Sequence, residues 1–287
     1  MHQDFPRIVR EVWLENNSLP LVISNFTTKA KKWNRDVFGN IFAKKRRVLA
    51  KLNGAQKALA DRLSDFLVCL EKQLLDEYAL ILLQEEEYWA LKSRLNAATY
   101  GDQNTSYFHV SIVVGRNQNK IRCIKDGKGD WIGDEEGVKN HIHSGYESLY
   151  TIGLDIALLC SSISQFSCCF FTKEDRAWIG RAVNEEDVRD GLWALKPFKA
   201  PRLDGLHARF FQQFWSNVGR SVCSMVISTV SSGVIPEYLN ETLVTLIPKC
   251  QYPESLNNYR PISFCNTVYK IVSKIIVGRI RPLISKL

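Results

Sequence analysis

The chain has 287 residues, of which 45% are hydrophobic and 11% aromatic, enough to bury one large core or two ordinary ones and too many for wholesale disorder. A net charge of +8 and a pI near 9.0 favour a polyanionic partner. The sequence does not open on the basic-then-apolar pattern of a secretory leader, and its apolar stretches are too short or too rich in Ser to span a bilayer, so an intracellular protein, nuclear or cytoplasmic and without a membrane partner, is expected.

Residues 1–32 read as an N-terminal tail. From residue 33 to about 60, Val37, Phe38, Ile41, Val48, Leu49, Leu52, Ala55 and Leu59 recur at helical spacing, with Asn34 as the expected cap. Ser64-Asp65 opens a second helix, whose broad stripe includes Leu67, Leu70, Leu74, Tyr78 and Trp89. Residues 33–98 thus form a long helical hairpin. Its charge is segregated, with nine Lys or Arg against one acid over 29–51 and eight acids against three bases over 52–91. A coiled-coil spacer fits this pattern; so do nucleic-acid contact by the basic arm and self-association through 33–95.

Residues 99–170 read as a small β-hairpin followed by a helix and a linker. A polar loop, "YGDQNTSYFHVSIVVGRNQ", leads into the short strands of "KIRCIKD" and "GDWIG" around the turn Asp126-Gly127-Lys128-Gly129. Asp134-Glu-Glu starts a helix that reaches about Tyr150, and 151–169 is apolar, Ser-rich and poorly periodic. In the last segment, 171–287, Thr172-Lys-Glu-Asp175 and Asn184-Glu-Glu-Asp187 mark two helix starts. Two further helices are expected near 206–215 and 218–232, then a strand in "TLVTLIP" that Pro248 ends, then a helix over 267–280. The predicted fold class is mainly α with small β elements (α+β).

Eight cysteines are scattered without a C-x-x-C pair, which points to reduced core residues rather than to zinc or disulfides. His141 and His143 are assigned to a helix surface and no metal site is expected.

Lys249 follows the strand directly, and Arg260 precedes Pro261, which holds it extended. An arginine fork and a compact lysine charge on one rigid element suit a triphosphate or a nucleic-acid backbone. The stretch "LIPK…NNYRPISFCNTVYKIVSKIIVGRI" resembles the first block of the reverse transcriptase of LINE-type non-LTR retrotransposons, in the variety abundant in plant genomes. "WNRDVFGNIF", "KSR…GDQNTSYFH", "NKIRCIKDGKGDWIGDEEGVKNH" and "LKPFKAPRLDGLHARFFQQFW" resemble, in order, segments of that polyprotein between its endonuclease and its palm. The likeness covers residues 33–287. One departure lies in the loop that reads K-A-P-G-P-D-G in the family and Lys199-Ala-Pro-Arg202-Leu203-Asp204-Gly205 here.

The resemblance implies tower-like linker helices, an N-terminal extension and the start of the fingers, with endonuclease and palm outside the chain. It implies that Arg260 contacts the phosphates of an incoming nucleotide, that Lys249 lies near the same groove, and that Arg116, Lys120 and Arg122 lie on the RNA template path. For the full-length family enzyme it implies Mg²⁺ and a deoxynucleoside triphosphate as cofactor and substrate, and RNA and DNA as partners. Nucleotide transfer needs palm carboxylates holding two metals, and the sequence contains no Asp-Asp dipeptide. The chain alone is therefore expected to be an inactive reverse-transcriptase fragment that holds no cofactor and has no catalytic residue of its own. A non-enzymatic RNA-binding module and a helical self-association protein are the alternatives.

Overall fold

The computed structural model describes residues 4–14, 18–93, 105–151, 171–199 and 204–284. They are mainly helical, with two small antiparallel sheets, as predicted. They fall into two compact units, Met1–Lys29 with Ile121–Leu287, and Ala30–Lys120. The linker expected over 151–169 lies almost wholly outside the described residues, as does Arg202.

Where a tail was expected, the chain forms α1 (Phe5–Trp13) and α2 (Leu19–Trp33). Pro6 sits in the first turn of α1, where its missing N–H breaks no helical bond. Val9 and Val12 of α1, and Leu19, Val22 and Phe26 of α2, are buried at helical spacing. Stripes this short are easily missed in a sequence.

In the second unit, a π-helical turn, Asn34–Phe38, is closed by Gly39, whose φ of 63° suits a residue without a Cβ. The cap expected at Asn34 is made instead by Asn40, whose side chain accepts from Phe42 N and Ala43 N at 3.0 and 3.1 Å and starts α3 (Ile41–Asp61). α4 (Asp65–Ser93) packs back on α3 through Val48, Leu52, Ala55, Leu74 and Ile81. Lys45 crosses to Glu85 at 2.6 Å, a half-buried pair that ties the basic arm to the acidic one. The segment read as a polar loop is in fact helix α5 (Thr105–Asn119), which packs against α4. Its Val110, Ile112, Val113 and Val114 are β-branched and weak in isolated helices, so a tertiary contact overrides their preference.

In the first unit the small hairpin is present, β1 (Ile124–Lys125) with β2 (Trp131–Ile132). The Asp126 carboxylate accepts from the backbone N–H of Asp130 and Lys128, bonds that shape the turn and lower its pKa. α6 (Glu135–Tyr150) starts at Asp134, whose side chain accepts from Gly137 N. α7 (Lys173–Gly180) and α8 (Glu185–Trp193) each begin with a complete capping box, at Thr172/Asp175 and Asn184/Asp187. After α9 (Ala208–Gln213), α10 (Trp215–Ser232) buries Val218, Val222 and Val226 and ends at left-handed Gly233. Phe5, Trp13 and Phe26 stack with Phe210 and Phe214 in one aromatic cluster, with Phe26 and Phe210 at 4.9 Å. The N-terminal helices are therefore fastened to α9 and the start of α10.

A short helix α11 (Glu237–Asn240) leads into β3 (Leu243–Pro248), which pairs with β4 (Tyr259–Phe264) before α12 (Thr267–Ile284). Ile271 and Ile275 of α12 are buried against α8, where Gly191 leaves so little room that a Cβ would lie 3.2 Å from Ile271 Cγ2. Ile276 remains 46% exposed.

Arg279 of α12 is turned inward. It donates to the carbonyls of Ile179, Arg181 and Ala182 at 3.2, 2.6 and 3.3 Å and pairs with Asp187 at 3.3 Å. Asp187 also accepts from Arg181 and from the Asn184 backbone. Removing one partner leaves a buried charge uncompensated, which typically costs about 3–5 kcal/mol. Asp187→Ala is accordingly expected to lower unfolding stability by about 3 kcal/mol in a urea titration.

The cysteines depart from expectation. Of those described, Cys223 is buried, Cys265 is half-buried, and Cys69, Cys123 and Cys250 are exposed. Burial pushes the Cys223 thiol up to about 11, so at pH 8 it holds almost no reactive thiolate. Brief alkylation of the native protein at that pH, followed by peptide mass spectrometry, should label Cys69, Cys123 and Cys250 and leave Cys223 unmodified.

Candidate functional site

The ribbon β3–β4 carries both residues singled out for phosphate contact. Its register runs from Leu243 opposite Phe264 to Pro248 opposite Tyr259, which sets Arg260 directly across from Ile247. Side chains alternate between the two faces of such a ribbon. On one face Tyr259 is buried with Ile124 and Val138, and Leu246 packs onto the same cluster; burial raises the Tyr259 phenol pKa. The other face carries Arg260, Ile247 and Ile262, all exposed. Arg260 makes no ion pair among the described residues. Its guanidinium therefore stands on an open surface, held by a buried neighbour.

The loop between the strands is built tightly. Asn258 Oδ1 accepts from Glu254 N, Ser255 N and Ser255 Oγ at 3.2, 3.0 and 3.0 Å. β1 grips the same loop, because Lys125 N donates to Glu254 O and Lys125 Nζ pairs with Glu254, each at 2.6 Å. α6 presses on it too: a Cβ on Gly145 would lie 2.6 Å from Leu256 Cδ2. These supporting residues were not singled out in the sequence: Lys125 and Gly145 act on a loop far along the chain, and Asn258 bonds within its own turn.

Lys249 extends β3 by one bond, from its N–H to Asn258 O at 2.7 Å. The structure brings it to the same end of the ribbon as Arg260, two residues beyond Ile247, or about 7 Å along a strand. Its ammonium donates to Asn257 O at 2.7 Å, so part of its role is to close the loop.

The three template-path candidates are all exposed. Arg116 lies in the last turn of α5 and Lys120 just beyond it, in the Ala30–Lys120 unit. Arg122 belongs to the other unit, two residues before β1. They are neighbours in sequence, but the unit boundary passes between Lys120 and Arg122.

Downstream, α12 holds the ribbon's exit. Asn266 Oδ1 accepts from Tyr269 N at 2.7 Å, and its amide donates toward the carbonyls of Tyr238 and Leu239. Thr267 Oγ1 donates to Leu206 O at 3.2 Å. Among the described residues no group of three His, Cys, Asp or Glu is placed to share a metal, and no helix is long and apolar enough to cross a membrane. His143, on the exposed side of α6, lies 3.6 Å from Glu147.

The fold and ribbon define a basic, mainly helical protein with a rigid arginine-bearing β-ribbon, and its sequence relationship is to a transposon-encoded protein. Over 196 residues, 68% of this chain, it is 22% identical to the "Transposon TX1 uncharacterized 149 kDa protein" of Xenopus laevis. The match takes in 15% of that relative's length. No family model matches the chain.

Adjacent residues on β4 should behave oppositely. Truncating a buried aromatic costs about 3–5 kcal/mol, whereas most exposed substitutions stay within about 0.5 kcal/mol. Tyr259→Ala is expected to lose about 3 kcal/mol of stability and Arg260→Ala almost none, both read from urea unfolding curves.

Proposed function

We propose that the chain is a segment of the reverse-transcriptase polyprotein of a LINE-type non-LTR retrotransposon of the kind abundant in plants. In this reading it covers the helices that follow the endonuclease, the N-terminal extension and the first part of the fingers. The observation that carries it is the ribbon, on which Arg260 projects from an open face while Tyr259 is locked in the core. The similarity to a transposon protein supports the same reading.

Arg260 would grip the triphosphate of an incoming deoxynucleotide with its planar fork, and Lys249 would add charge at the same end of the ribbon. Arg116, Lys120 and Arg122 would follow template RNA. Joining nucleotides requires carboxylates that hold two Mg²⁺ ions about 4 Å apart. The resemblance assigns those to a palm whose Asp-Asp pair is not in this sequence. These 287 residues by themselves are therefore read as binding RNA and nucleotide without polymerising.

A second reading, an RNA-binding module without a polymerase role, rests on the exposed cations of α3, Arg46, Arg47, Lys51 and Lys57. Fluorescence anisotropy with single-stranded RNA and with a labelled deoxynucleoside triphosphate separates the two. Log RNA affinity should fall by about 0.7 per phosphate contact for each log unit of salt. Under the polymerase reading, Arg260→Ala lowers triphosphate affinity about tenfold and leaves RNA binding through α3 in place. Equal triphosphate affinity in wild type and variant overturns it, and Mg²⁺-dependent extension of a primed template by this chain overturns its inactivity.

A further inference from the structure

α4 buries one face against α3 through Leu70, Leu74, Tyr78 and Ile81. On the far face, Phe66, Cys69, Gln73, Asp76, Leu80, Leu83 and Glu87 follow one another in alternating steps of three and four residues, the spacing of a coiled-coil seam. All seven are exposed, Phe66 at 73%, Leu80 at 60% and Leu83 at 52%. α4 packs against both α3 and α5, yet this second stripe lies in water. It forgoes about 25 cal/mol for each Å² of apolar surface left there.

We propose that this seam pairs with the same seam of a second copy of the chain, the two α4 helices running antiparallel about an axis between residues 74 and 75. In that register Phe66 meets Leu83 of the other copy and Cys69 meets its Leu80. The polar positions select the direction. A parallel, in-register pair would set Asp76 against Asp76 and Glu87 against Glu87, like charges inside a closing interface. The antiparallel pair puts Asp76 opposite the Gln73 amide, which donates to it. It also brings Glu87 just past the N-terminal end of the other copy's α4, where the helix dipole favours an acid. Each polar residue of the seam thus gains a complement, and the four apolar ones are covered.

α4 as a whole carries seven acids and two bases. Long-range repulsion between two such helices is screened by salt, so the pairing persists or tightens as ionic strength rises. Binding of RNA by the basic arm has the opposite salt dependence, which keeps this inference separable from the functional reading above.

Sedimentation equilibrium of the full chain should show a concentration-dependent dimer that survives in about 1 M NaCl, where screening reaches to about 3 Å. Leu80→Asp combined with Leu83→Asp should give a monomer of unchanged helical circular dichroism. The single variant Leu80→Cys, mildly oxidised, should form a covalent dimer linked through Cys69 of the other copy, identified by peptide mass spectrometry. A wild-type monomer at every concentration, a dimer that outlasts the double substitution, or a wild-type dimer linked Cys69 to Cys69 would each overturn the proposal.

Discussion

Arg279 enters the larger unit from the last turns of α12 and finds three backbone carbonyls and one carboxylate waiting for it. Burying a guanidinium is unfavourable unless its donors are met, and here most of them are, by the chain that joins α7 to α8. That chain is shaped beforehand by its own capping box, so Asp187 serves helix start and ion pair at once. Trp178 completes the join by donating its indole N–H to the carbonyl of Arg279 at 3.2 Å. Because α12 is fixed at this end by Arg279 and at the other by Asn266 and Thr267, the strand that feeds it leaves the core at a defined place.

The ribbon needs this support. Two strands alone are at best marginally stable in water, and this pair turns only one face inward. Its rigidity is borrowed from β1, from α6 through Gly145, and from Asn258 within the loop. An exposed arginine on such a scaffold keeps its direction without surrendering its charge to a neighbour. Lys249, at the same end, is partly committed to the loop it closes.

Much of this was legible in the sequence because it is local. The boxes at Thr172 and Asn184, the cap at Asp134 and the turn at Asp126 are bonds between residues two to four apart, and a chain advertises them. The strand "TLVTLIP" and the hairpin of α3 with α4 carry clear periods. What escaped was set by distant partners. α5 is helical despite the β-branched Val110, Ile112, Val113 and Val114 because α4 packs against it. Ile271 and Ile275 are covered by α8, some 80 residues earlier, through a close contact at Gly191. Arg116, Lys120 and Arg122 look like one patch when read in line, yet the boundary between units runs through them. Three of the five described cysteines lie in water because an apolar neighbourhood in sequence is not a buried one in space.

The span of the Arg279 clamp bears on how the protein is made. Its acceptors lie 92 to 100 positions earlier in the chain, whereas α3 and α4 are joined by a three-residue connection and touch at once. Closing a long loop before any contact rewards it is slow, so the hairpin forms early and the clamp late. During synthesis, α7 and α8 leave the ribosome with Asp187 already capping a helix but without its arginine. At about 5–20 residues per second, this intermediate lasts on the order of ten seconds before α12 arrives. For that interval the face of α8 around Gly191 is bare, and it is there that a chaperone would find the nascent protein.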